Sequence, residues 1–535
     1  MSASQEKKLR QQLREEGKDK RQIAQQKAEK ARKRRNTTEI TAGVIAALLI
    51  IVLVVSLSGV LYTNFTALNV GNTSYSAAEY NFFYNLNYNN FKSQYGSYLT
   101  MMGLDTTKPL SSQQYTEDQT WDEYFKEQAQ NSMKEMTALY DDAVKNGFKL
   151  SDEDKASMDS TIESFKTGYA DAGFSSTKDY LVSTFGTGSN INTVSSIVEK
   201  YYIAQAYSKQ KNDSLTYTSD QLKTYYNENK DNLDSYTYIS YYADGSVKDN
   251  TSTDAATASA SPDASASPSA SPDTEAAKAA AMEKAKGIAD AIVAGAATED
   301  EFKQAVLAQS QTEASESTTQ GSSLNEKYAD WMKDSSRKAG DTTVVASDTG
   351  YYAVYYIARD SASYKTVNVR HILIKAVASE DGTYTEEAKA TAKQKAEDLL
   401  AEWKAGAATE DSFAELAKKN SEDPGSSANG GLYENVSKGQ MITSFNDWIY
   451  AADRKTGDTG IVYGERAASG SDTGYSGYHV IYYVGEGKTY SDTLAESEMR
   501  NKDFTDWKDA LLKNYEVKTG LTAGLVKEAK GGKTA

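Results

Sequence analysis

Hydrophobic and polar positions follow distinct rhythms along this chain, and each rhythm predicts a different element. Residues 40–62, ITAGVIAALLIIVLVVSLSGVLY, contain no charge. An apolar run of that length crosses a hydrocarbon core of about 30 Å as a helix, so it predicts a transmembrane span. From 63 to 235 the apolar positions recur at helical spacing. SAAEYNFFYNLNYNNF opens on a capping-box pattern, Ser76 to Glu79, and then places Tyr80, Phe83, Tyr84 and Phe91 along one face. TWDEYFKEQAQNSMKEMTALYDDAVKNG does the same with Thr120 and Glu123, an apolar stripe through Trp121, Phe125, Met133 and Met136, and Gly147 as its stop. These stripes read first as core packing; their functional alternative is a greasy groove for non-native chains.

Beyond 235 the rhythm changes and repeats. GAATEDEF at 295–302 returns as GAATEDSF at 406–413, DSSRKAGDTTVV at 334–345 as AADRKTGDTGIV at 451–462, and GYYAVYY at 350–356 as GYHVIYY at 477–483. Matched blocks in the same order imply a duplicated domain. Each copy runs strand, helix, short helix, acidic or Gly-rich loop, helix, strand, which suits a small α+β fold on an antiparallel sheet. Residues 250–275, a Ser/Ala/Asp tract with three of the chain's five prolines, interrupt the first copy and predict a disordered insertion.

Charge orients this architecture. Residues 1–39 hold 13 Lys/Arg against 6 Asp/Glu, so the tail carries +7 and the remainder −23 of a formal −16. With Arg32 to Arg35 directly before the apolar run, the positive-inside rule places the tail in the cytoplasm and residues 63–535 outside the cell membrane. A cleaved signal peptide is the competing reading; a basic leader this long without an A-x-A site argues against it. An acidic exterior without a basic, aromatic-interleaved patch speaks against nucleic acid as a partner. The absence of cysteine excludes disulfides, thiol nucleophiles and Cys-based metal sites.

Histidine is the rarest chemistry-bearing residue, with two in 535 positions against 38 tyrosines. Both sit in strand-like runs, His371 in VRHILIK and His479 in GYHVIYY, and the sheet needs those runs as neighbours. The first copy has Ser240 near the place of His371 and Tyr352 at that of His479. A buried pair can simply complete a hydrogen-bond network. Metal binding lacks further ligands at recognisable spacing, so no metal or other cofactor is expected.

VRHILIK, SFAELAKKNSEDPGS, NGGLYENVSKGQM with Phe445, RKTGDTGIV and SGYHVIYYVGE together resemble a parvulin-type peptidyl-prolyl cis/trans isomerase domain over about residues 365–487. The helical segment before the copies and FTDWKDALLKNY after them resemble the chaperone part of PrsA/SurA-type extracytoplasmic foldases. The resemblance implies a polar catalytic cluster of His371, Asp423, Ser476 and His479, and a proline-ring pocket of Leu432, Met441 and Phe445. The chain departs from the family in having Gly431 where an Asp is usual, Pro424 and Gly425 after Asp423, and a membrane helix instead of a lipid anchor. The loop after His371, KAVASEDGTYTEE, lacks the basic cluster of phospho-specific parvulins, which speaks against phosphorylated substrates.

The expected architecture is therefore α+β: a basic cytoplasmic tail 1–39, a transmembrane helix 40–62, a helical chaperone domain 63–235, a degenerate parvulin-like domain 236–362, a parvulin domain 363–488, and a C-terminal helix 489–535 packing back on the chaperone domain. The expected function is a membrane-anchored isomerase and chaperone for exported, unfolded chains with X-Pro bonds. A non-catalytic holdase or envelope scaffold that retains the parvulin fold is the alternative.

Overall fold

The computed structural model describes residues 2–16, 27, 41–42, 44–46, 59–247, 272–379, 382–467 and 474–529, and folds them into two units. Met1–Leu215 and Asp503–Ala535 form the first, Thr216–Lys502 the second. Among the described residues no helix is long and apolar enough to cross a membrane. Most of the expected span 40–62 lies outside them; its described positions 41–42 and 44–46 are helical. The end of that run belongs to the folded protein, in the short helix Val60–Thr63, where Tyr62 is buried and Leu61 packs against the core.

The first unit is helical around an aromatic core. A hairpin, β1 (Thr66–Val70) and β2 (Thr73–Ser76), leads into α1 (Ala77–Tyr95), α2 (Trp121–Lys145), α3 (Asp152–Thr167), α4 (Thr177–Phe185) and α5 (Ile191–Asp213). Each helix starts on a side-chain cap, Ser76, Thr120, Ser151, Ser176 or Asn190, which accepts from the backbone N–H three residues on. Such caps contribute about 1 kcal/mol each. Trp121, Phe125, Tyr80, Tyr84 and Met133 are buried between α1 and α2. The hairpin departs from the helical reading of 63–235. It exists because β1 also pairs antiparallel with the C-terminal strand Val517–Thr519, a contact that local periodicity does not encode. Residues from Asp503 onward belong to this unit, with Trp507, Leu511 and Tyr515 against its core.

The second unit begins with α6 (Ser219–Glu228), so the helical stretch read as continuous to 235 divides at 215. Two sheets of like topology follow. The first contains β3 (Ser235–Asp244), β4 (Ser317–Gln320), β5 (Thr342–Ser347) and β6 (Gly350–Asp360) in the order β4-β3-β6-β5, with α7 (Pro272–Ala294) and α8 (Glu299–Ser310) between β3 and β4. Residues 250–271 of the expected insertion lie outside the described residues, and 272–275 are helical.

The second sheet contains β7 (Lys365–Lys375), β8 (Leu432–Val436), β9 (Thr459–Arg466) and β10 (Tyr475–Thr489) in the order β8-β7-β10-β9, all antiparallel. Its helices are α9 (Glu386–Ala405), α10 (Glu410–Asn420) and α11 (Thr443–Ile449). The pleat divides its side chains in two. Ile372, Ile374, Val480 and Tyr482 pack on α9 and α10 with Ala396, Trp403 and Phe413. Val369, Ile481 and Tyr483 pack on α11 with Phe445 and Ile449. The two sheets share register, since His371 lies opposite Ile481 and Ser240 opposite Val354 in the corresponding pairs.

Candidate active site

On the α11 side of the second sheet, alternation along β7 and β10 brings both histidines to the same place. Their rings stack 5.3 Å apart at 19°, with Nδ1 to Nδ1 at 3.1 Å. Both are nearly buried, at 5% exposure. Phe445 stands edge-on to both rings, at 5.6 and 5.4 Å, and closes the floor. A cleft of about 540 Å³ opens above, lined among others by Met441, Ile442, Phe445, Tyr433 and Tyr475. That size suits a small apolar group with its chain neighbours.

His371 Nε2 lies 3.0 Å from Asp423 Oδ2 and 3.1 Å from Ser426 Oγ. The same carboxylate oxygen accepts from Ser426 Oγ at 2.5 Å and from Tyr433 OH at 3.0 Å. Hydrogen bonding to His371, then to Ser426 and Tyr433, outweighs partial burial and holds the Asp423 carboxyl well below the usual carboxylate range. At the other end, Tyr475 OH lies 2.9 Å from His479 Nε2. Burial, reinforced by the neighbouring His371, pushes the His479 imidazole down to about 3.

With Asp423 ionised and His479 neutral, the distances accommodate a directed arrangement of protons. Tyr475 O–H donates to His479 Nε2, His479 Nδ1–H to His371 Nδ1, and His371 Nε2–H to Asp423. The site is therefore a directed chain of hydrogen bonds ending on a fixed anion. Among the described residues no group of acidic and histidine side chains is arranged to hold a metal ion.

Local sequence explains the geometry. Gly431 has φ +72°, and a Cβ there would stand 2.2 Å from the His371 carbonyl oxygen. The glycine lets β8 begin against β7, where His371 N–H donates to Gly431 O at 2.8 Å. An Asp, usual at this place in parvulins, does not fit this backbone. Gly464 similarly leaves room for the His479 ring, since a Cβ would stand 3.0 Å from its Nε2.

Of the residues expected at the site, His371, His479, Asp423, Met441 and Phe445 come together around the cleft. Leu432 and Ser476 do not. Leu432 pairs with Arg370 and Tyr433 with Val369, so the pleat turns Tyr433, not Leu432, toward the histidines. Ser476 is buried on the opposite face from His479, three residues away in a strand of period two, and its hydroxyl meets Tyr463 OH at 3.0 Å. The hydroxyls that reach the imidazoles belong to Ser426 and Tyr475. Strand alternation back from His479 identifies Tyr475, and the Asp423-x-x-Ser426 turn identifies Ser426. In the first sheet Tyr352 occupies the register position of His479 and packs 5.4 Å from the Tyr328 ring.

Residues 352–466 match the family model described as the PPIC-type PPIase domain. That range holds His371, Asp423, Met441 and Phe445 and stops short of His479. The chain is 31% identical over 173 residues to foldase protein PrsA 1 of Listeria monocytogenes, covering 32% of this chain and 46% of that one. It is 32% identical over 171 residues to foldase protein PrsA 1 of Listeria innocua, covering 31% and 45%. Among solved structures, PrsA of Bacillus subtilis covers 84% of this chain and 90% of its own at 13% identity, with a TM-score of 0.24. The chain spans less than half the length of the curated relatives it matches.

Proposed function

We propose that this chain, which carries a PPIC-type peptidyl-prolyl isomerase (parvulin) domain, is a membrane-tethered extracytoplasmic isomerase and chaperone that assists the folding of exported proteins. The observation that carries the reading is the chain of hydrogen bonds from Tyr475 to Asp423 set against the apolar floor of Phe445 and Met441.

Prolyl isomerisation makes and breaks no covalent bond; it rotates an amide through a barrier of roughly 18–20 kcal/mol. Twisting removes resonance, so the carbonyl oxygen loses negative charge and the nitrogen regains its lone pair. A site that favours the twisted amide is one that does not stabilise the charge-separated planar form. Met441, Ile442 and Phe445 grip the proline ring and exclude water. His479, kept neutral by burial, offers no imidazolium to hold the planar carbonyl, and the Asp423 charge is consumed by three donors. Leu432 and Ser476, on the other face of their strands, act only by supporting the sheet.

The remaining parts have supporting roles in this reading. The first unit has an apolar groove of about 450 Å³ lined by Phe82, Phe83, Leu86, Met136, Phe165 and Ile197, suited to holding unfolded segments. The first parvulin-like sheet, with Ser240 and Tyr352 at the histidine positions, holds without turning over. The uncharged apolar run of residues 40–62 tethers the whole to the membrane.

The test is refolding of an exported protein whose slow phase is a prolyl isomerisation, in the presence of the full chain. Isomerase activity accelerates the slow phase catalytically. Suppressed aggregation with an unchanged slow phase supports the non-catalytic holdase instead.

A further inference from the structure

The apolar run of residues 40–62 ends in the short helix Val60–Thr63, which packs into the first unit through Leu61 and Tyr62. Near it lie large apolar side chains that the fold leaves uncovered: Phe65 is 44% exposed and Leu521 90%. Phe65 and Leu521 are far apart in sequence and adjacent in space. Gly520 N–H donates to Ala67 O at 2.8 Å, and Thr522 donates through N–H to Thr66 O and through Oγ1 to Phe65 O, both at 3.2 Å.

The turn itself does not call for leucine. Its structural work is done by the flanking residues. Gly520 admits no side chain, since a Cβ would stand 2.4 Å from Thr66 O, and Thr522 is buried and bonded. Leu521 adds almost no packing to the fold. The exposed leucine and the exposed phenylalanine thus form one apolar pair held together by these backbone bonds.

What covers it follows from the neighbouring chain. Phe65 is three residues from Tyr62, so it stays within about 10 Å of the point where the apolar run ends. We propose that Phe65 and Leu521 form a membrane-facing edge, and that their occupant is the headgroup–acyl boundary of the bilayer to which the apolar run tethers the chain. This inference rests on the membrane tether in the proposed function. Apolar side chains at this depth act as interfacial anchors. With two chain-distant anchors beside the tether, the first unit has a fixed tilt to the membrane and does not swing freely on its stalk.

The chain has no cysteine, so single-cysteine variants report one position each. Leu521→Cys and Phe65→Cys, with Glu153→Cys on α3 as an exposed control, are labelled with an environment-sensitive fluorophore. The full chain is then reconstituted into phosphatidylcholine–phosphatidylglycerol vesicles and floated on a density gradient. The expected result is a blue-shifted emission at 521 and 65 that is quenched by brominated acyl chains, with neither effect at 153. Vesicle-bound protein whose 521 and 65 labels behave like the 153 label overturns the membrane-facing edge and leaves the tether standing. A chain that fails to float overturns both.

Discussion

Acidification provides a direct probe of the site, because burial and His371 push the His479 imidazole down to about 3 from an ordinary 6.5. That displacement corresponds to about 5 kcal/mol of preference for the neutral ring, at 1.36 kcal/mol per pH unit. The sign follows from proton counting. Below pH 6.5 the unfolded chain takes up a proton on this residue that the folded one refuses. The contribution to stability is therefore complete above about pH 6.5 and is lost as the pH falls toward 3. Two-bond proton–nitrogen spectra of the imidazoles are the assay, and they are unusually clean because the chain has only two histidines. His479 should remain a neutral tautomer protonated at Nδ1 down to about pH 4. A cationic His479 ring appearing near pH 6.5 in folded protein would refute the reasoning, both for burial and for the direction of the hydrogen-bond chain.

Other perturbations separate the parts of the site. Asp423→Asn removes the anion that accepts from His371, Ser426 and Tyr433, at a cost of about 2–4 kcal/mol, read as lost amide protection in β7 and β10 above pH 5. Phe445, 1% exposed beneath both imidazoles, should cost about 3–5 kcal/mol on replacement by alanine in denaturant titrations. Tyr475→Phe deprives His479 Nε2 of its donor and should change the nitrogen spectrum of His479, whereas Ser476→Ala, on the opposite face, should leave that spectrum unchanged.

The second sheet was legible in the sequence because its strands are long, its blocks recur, and its two histidines fall in runs that the sheet makes neighbours. The register shared by Ser240 with His371 and by Tyr352 with His479 was likewise visible from the repeat. What motif matching could not supply was the face each residue takes. Leu432 and Ser476 occupy matching positions in the chain and point away from the cleft, while Tyr433 and Tyr475, one residue along in each strand, line it. A period of two decides this, and a motif aligned by residue identity ignores it. Ser426 escaped notice because its role depends on the turn after Asp423 folding back under His371. The hairpin Thr66–Ser76 was hidden for a different reason. Its stabilising partner, Val517–Thr519, lies at the other end of the sequence, and no local pattern announces such a pairing.

The central claim is that this cleft rotates prolyl bonds. Its most direct measurement is the cis/trans exchange rate of an X-Pro peptide, followed by magnetisation transfer, with the full chain and with its His479→Ala and Met441→Ala variants. The account predicts catalytic acceleration by the wild type, largely lost in both variants while the amide protection of β7 and β10 persists. Exchange at the uncatalysed rate with correctly folded wild-type protein would contradict it.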